Sequence, residues 1–265
     1  MAGTLAIEIA DAALLAFSRV ATGGRHHGSS PGYALADGKI LLVGKEAAAR
    51  AHLRPRQVST RFWESLEPEP VGKPFPAATT HADLAHAHLR SLWEPCRSFR
   101  EVVLAVPGFR TERQLGLILG LARSLEMPVV GLVDSAVAVA QGQPGAAIIH
   151  LDLHLHRAAA TAVRRRDDDL VRERVETVEG AGLLALHEAW ARAVEQAFLA
   201  QARFDPRHAG ESEQALHEAL PGWLAMLEHA DRATLRRFYT LARPAGPGWG
   251  AVAGSSSRLP GPPVP

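Results

Sequence analysis

The chain has 265 residues and is 47% hydrophobic, which gives enough apolar material for one large domain or two lobes and excludes a fibre or an unstructured tail. Its 29 Lys and Arg against 28 Asp and Glu leave a net charge of +1, so there is no cationic excess to hold a nucleic-acid backbone or an anionic membrane. A single cysteine, Cys96, excludes an internal disulfide framework and suits a reducing compartment.

Residues from Ala2 to Val20 are mostly apolar, but no basic segment precedes them and Glu8 and Asp11 interrupt them. Neither a signal peptide nor a membrane span fits, which points to the cytoplasm. Thr4 to Ile9 and Ala13 to Val20 read as two strands joined by a tight turn at Ala10-Asp11-Ala12. A Gly- and Ser-rich loop over 22–32 follows, then two short strands around Asp37-Gly38. Glu46 to His52 is helical, and Glu67 to Pro76, with four prolines, is expected to be irregular. Thr80 with Asp83, and Thr111 with Gln114, carry the capping-box spacing that opens a helix. The strands Glu101 to Val106 and Pro128 to Val133 flank the second of these helices, which makes a βαβ unit.

From Ala146 a second run of strands is expected, with Arg164 to Asp169 as a solvated hairpin turn between Ala158–Arg164 and Leu170–Val178. Helices follow over Leu183 to Ala202, Ser212 to Leu227 and Asp231 to Ala242, and Trp190, Phe198, Trp223 and Leu224 fall at core spacing on the first two. Gly246 to Pro265 is rich in Gly, Ser and Pro, a composition that also fits a tail without fixed structure.

This order of elements, with several local stretches, resembles the actin-like ATPase superfamily, and within it the nucleotide-binding domain of DnaK-type heat-shock chaperones. Leu5 to Ala12 stands where the family has its first phosphate loop, and Gly44 to Pro55 is similar to the family's glycine, helix and proline stretch. Val102 to Pro107, followed by Thr111 and Gln114, resembles another family segment, and Val133 to Ala140 looks like the connecting helix. His150 to Thr161 occupies the place of the second phosphate loop, and Val252 to Gly261 is similar to the adenosine motif.

The resemblance implies an α/β fold of two ribonuclease H-like lobes, each opened by a β-meander and covered by helices. Lobe I would span 1–145 and lobe II 146–265, the second ending early. It further implies ATP or ADP with Mg²⁺ as cofactor. Glu8, Asp134 and Asp152 match the acidic positions that hold the hydrated ion. Ala10, Asp11, Ala12, His154, His156 and Arg157 fall on the two phosphate loops, and Gly254, Ser255, Ser256 and Arg258 on the adenosine motif.

The departures from the pattern bear most on function. Phosphate loops use glycine so that backbone N–H groups approach the oxygens closely. Here Ala10 and Asp11 replace Gly-Thr, and His154 to Arg157 stands in place of Gly-Gly-Gly-Thr. No lysine occurs near Arg61 to Trp63, where the family has its phosphoryl-transfer lysine. The expectation is a divergent, non-hydrolysing module with weak or lost ATP binding, acting as a scaffold or regulatory partner for a protein. A slow ATPase, with His154 and Arg157 as replacement anion ligands, is a further reading. The acidic residues also have structural roles open to them: Glu8 as an outward residue of a strand, and Asp134 as a helix N-cap.

One alternative chemistry comes from the residues themselves. His150, Asp152, His154 and His156 are two apart, so on a strand they share one face, opposite Ile149, Leu151, Leu153 and Leu155. Imidazole and carboxylate on one face suit a divalent metal and a metal-dependent hydrolase, with further ligands drawn from His26 and His27 or His86 and His88.

Overall fold

A computed structural model describes residues 3–20, 23–167 and 169–227. The predicted helix over Asp231 to Ala242 and the Gly246 to Pro265 stretch lie outside the described residues.

The main sheet has strand order β10-β9-β1-β2-β3. It is built from β1 (Leu5–Ile9), β2 (Leu14–Val20), β3 (Gly23–Ser30), β9 (Val102–Val106) and β10 (Val129–Asp134). The first three run antiparallel, and β9 and β10 join parallel to β1. Leu5, Ile7 and Ile9 alternate into a core shared with Val102, Leu104, Leu84 and Leu89. Two helices cross this sheet, α2 (His81–Trp93) and α3 (Glu112–Ser124), and both open with the predicted capping boxes. Thr80 Oγ1 accepts from Asp83 N at 3.1 Å, and Asp83 Oδ2 accepts from Thr80 N at 2.9 Å.

Two stretches expected to be irregular are strands. Gly23–Ser30 pairs with β2 through seven registered residue pairs, a partnership supplied by the tertiary fold rather than by local propensity. Pro70–Phe75, here β7, pairs with β8 (Ala78–Thr80) only at Pro70↔Thr80 and Phe75↔Ala78. Such a short ribbon tolerates prolines because few ladder donors are needed. A third small sheet joins β4 (Ala34–Asp37), β5 (Ile40–Val43) and β6 (Val58–Ser59), with α1 (Lys45–Ala48) following β5.

The second meander is β11 (Ala147–Leu153), β12 (Arg157–Arg166) and β13 (Asp169–Glu179). The charged run forms the β12–β13 hairpin, with Arg164 and Arg166 both paired to Glu173. The inner face of this sheet packs on α4 (Ser135–Ala140) through Ala136, Ala140, Val163, Ile148 and Leu170.

The two-lobed actin-like architecture expected from the resemblance is not formed. The second meander is a three-stranded sheet to which no parallel strand adds among the described residues. It also belongs to the same compact unit as the first sheet, made of the described residues of Met1–Ala48 and Arg56–Leu183. The helices after it, α5 (Leu183–Ala202) and α6 (Gly210–Leu227), build a separate unit with the segment Ala49–Pro55. That unit has no sheet among its described residues, and its core is side chains of the two helices, Ala191, Val194, Phe198, Leu216, Leu220 and Trp223. The protein is mixed α/β with several small sheets. No helix among the described residues is long and apolar enough to cross a membrane.

Candidate functional site

The two turns that the sequence resemblance assigns to phosphate are bonded to each other. Asp11, in the turn after β1, accepts at Oδ1 from His154 Nδ1 at 3.1 Å and from the Leu155 N–H at 3.0 Å. His154 and Leu155 sit in the turn between β11 and β12, and the His154 side chain is 1% exposed. On its other side His154 Nε2 lies 3.1 Å from Asp152 Oδ2, an ionic contact out of line for a hydrogen bond. Phe109 closes the edge of the imidazole, with ring centroids 4.9 Å apart.

The main chain ties the junction from both ends. Gly32 N–H donates to Asp11 O at 3.0 Å, and Leu183 N–H donates to His154 O at 2.7 Å. A Cβ at Gly32 would meet Asp11 O at 2.2 Å, and one at Gly182 would meet the backbone of residues 155–157 at 2.5 Å. These glycines let chain pack against chain.

Burial works against the His154 imidazolium, but the Asp11 hydrogen bond and the charges of Asp11 and Asp152 outweigh it and hold its pKa up to about 9. Burial likewise opposes ionised Asp11, and the His154 bond, the Leu155 N–H and the nearby Arg110 charge bring it below the ordinary carboxylate range. Asp152 is lowered in the same manner, with His154 overcoming burial. Glu8, half-buried on β1, is raised by burial and by the Asp152 charge. The junction is therefore an imidazolium between two carboxylates at neutral pH.

The other expected residues divide around it. Ala10 is buried in the turn, and Ala12 is half-buried. Asp134 caps α4, accepting from Ala136 N at 2.9 Å and Val137 N at 3.3 Å, and it also pairs with Arg172. The hollow beside Asp134, Arg110 and Arg172 is about 130 Å³. His156 Nε2 turns away to Thr60, 3.1 Å from Oγ1. Arg157 pairs with Glu64 at 2.8 Å and Glu179 at 3.0 Å. Gly254, Ser255, Ser256 and Arg258 lie outside the described residues. The structure thus gathers Asp11, Asp152 and His154, sets Glu8 within electrostatic reach, and leaves Asp134, His156 and Arg157 to other partners.

The four-residue polar face divides as well. β11 ends at Leu153, so only His150 and Asp152 share a strand face; His154 and His156 belong to the turn. The alternation also points the other way from an ordinary half-buried strand. His150 and Asp152 face inward, while Ile149, Leu151 and Leu153 are exposed, Leu151 at 75%. Leu155, past the strand end, is buried. Among the described residues, these histidines and Asp152 do not bring three ligand atoms within 4.8 Å of one another.

Sequence reading misses Glu64, Phe109 and Arg110. Arg110 is buried and donates to Trp63 O, and its guanidinium lies 5.4 Å from the Phe109 ring centroid. None of the three falls in a periodic or motif pattern; the available signal was a charged residue, Arg110, directly after Pro107-Gly108-Phe109 at a strand end. No protein-family model matches the chain, and no curated protein matches it.

Proposed function

We propose that this chain is a divergent binding module, similar to DnaK-type chaperones in the order of its motifs and not in architecture, that does not use ATP and works in the cytoplasm as a scaffold or regulatory partner of another protein. The observation that carries the reading is the Asp11–His154 bond, because it joins the two turns between which phosphate would have to enter. Admitting a polyphosphate there means breaking a buried ion pair and placing phosphate oxygens beside the Asp11 carboxylate, a repulsive contact. The glycines at the junction serve chain packing, and the hollow by Asp134 is smaller than the ~300–1,000 Å³ usual for small-molecule sites.

A slow ATPase is less well supported, since Arg157, its replacement anion ligand, is already held by Glu64 and Glu179. The metal-hydrolase reading loses support because His150, His154 and His156 diverge. The scaffold reading gains support from the outer face of the second sheet, where Ile149, Leu151, Leu153 and Val178 are exposed. The buried, lone Cys96 suits a reducing compartment.

The test is thermal unfolding of the full chain with ATP and Mg²⁺. A ligand at ~100 times its Kd stabilises by about 2.7 kcal/mol, a readily measured rise in Tm. The reading predicts no rise at millimolar nucleotide. A saturable rise with ATP·Mg²⁺ overturns it.

A further inference from the structure

The helical unit carries a second cluster of histidine and carboxylate, arranged differently from the first. Glu213 and His217 are four residues apart on α6 and so stand on one face. His52 comes from the Ala49–Pro55 segment, which is fixed to α6 where the His52 N–H donates to Gln214 Oε1 at 3.0 Å. One ligand atom from each of His52, Glu213 and His217 lies within 4.8 Å of the others.

Two features ask for a cation at this point. His217 Nε2 is buried and has no hydrogen-bond partner, a cost that a metal bond to its lone pair would remove. Arg207 bonds Glu213, and also Glu188 and Glu195, so one guanidinium faces three carboxylates. The surplus of negative charge offsets the repulsion that Arg207 would otherwise exert on an incoming ion.

We propose that His52, Glu213 and His217 form a zinc site that clasps the Ala49–Pro55 segment to α6. Two imidazole nitrogens and one carboxylate oxygen are a borderline donor set that favours Zn²⁺ over Mg²⁺ or Ca²⁺, which take oxygen ligands. Three protein ligands leave a fourth tetrahedral position for water. The two imidazole rings are stacked, 3.8 Å between centroids with 10° between planes. A metal bonds along the plane of an imidazole, so parallel rings cannot both direct a nitrogen at one ion. Loading the site therefore opens the stack.

The test uses the full chain without a polyhistidine tag, stripped by chelator and titrated with Zn²⁺. One bound equivalent per chain and a higher Tm are expected in the parent protein. His217→Ala and Glu213→Gln should each lose that equivalent, while His150→Ala keeps it. Far-UV circular dichroism establishes that each variant folds. Glu213→Gln preserves side-chain shape and decides the matter if the histidine variant does not fold. Titration with Co²⁺ gives an independent reading, a visible absorption of tetrahedral type in the parent that Glu213→Gln abolishes. The proposal is overturned if the parent binds no zinc at micromolar free ion, if Glu213→Gln binds it unchanged, or if the equivalent is lost in His150→Ala.

Discussion

The junction at His154 and the cluster at His217 use the same side chains toward opposite ends. At the junction both ring nitrogens of His154 face carboxylates of the chain itself, Asp11 and Asp152, so the ring is held charged. In the helical unit burial, with the charges of His52, His187 and Arg207, brings His217 down to about 4, and its ring stays neutral with a nitrogen unused. The contrast teaches that a histidine near carboxylates is a ligand site only where those carboxylates leave a lone pair free. At His154 the ionic contact to Asp152 stands in for the missing Nε2 hydrogen bond, whereas His217 Nε2 has no hydrogen-bond partner.

Removing one member of the junction is the harshest way to break this comparison. Asp11→Ala leaves His154 buried with its Nδ1 partner gone and should cost ~3–5 kcal/mol, read by denaturant unfolding of the sheet-bearing unit. Zinc binding by the helical unit should survive in the same variant.

The pH dependence should separate the two regions by sign. His154 has a folded pKa raised to about 9, so its contribution is complete below the unfolded value of ~6.5 and lost as pH rises through about 9. The full loss is on the order of 3 kcal/mol. Asp11 and Asp152, lowered in the fold, add stability above the ordinary carboxylate pKa and lose it in acid. His52 and His217 are lowered, so in the metal-free chain the helical unit should weaken as pH falls from ~6.5 toward 4. Denaturant midpoints measured from pH 4 to 10, with a probe in each unit, check both slopes. A common slope would remove the distinction.

A smaller effect comes from a site outside both clusters. Thr80→Ala removes one half of the α2 capping box and should cost ~1 kcal/mol, with no change in zinc binding or in the pH slopes. Denaturant unfolding of the variant measures it.

How much of this was legible in the sequence varied with the range of the interactions. Thr80 with Asp83 and Thr111 with Gln114 are local, and both capping boxes form as their spacing predicts. The β-meander, the βαβ unit and the α5 limits were likewise readable from alternation and period. Gly23–Ser30 was not, because β2 supplies its order through a tertiary ladder. On β11 the alternation was plain, yet which face turns inward depends on α4 and the Asp11 turn packing beneath it, so the polar face is the covered one. The architecture failed to follow the resemblance because motif order along a chain does not fix which strands share a sheet; β11 to β13 pair only with one another. Asp11, Asp152 and His154 were all singled out as site residues, but as ligands of phosphate or metal; that His154 bonds Asp11, 143 positions away, was not legible. The second cluster was not read from the sequence, because His52 joins Glu213 and His217 only through the tertiary fold.

The charge state of His154 decides whether the Asp11 and His154 turns are locked together. A ¹⁵N NMR titration of the histidine side chains of the full chain reads that state directly. Both ring nitrogens of His154 are expected to carry protons at pH 7, with a transition near 9 that Asp11→Asn moves downward. A neutral His154 ring at pH 7, titrating near the ordinary ~6.5, would contradict that charge state.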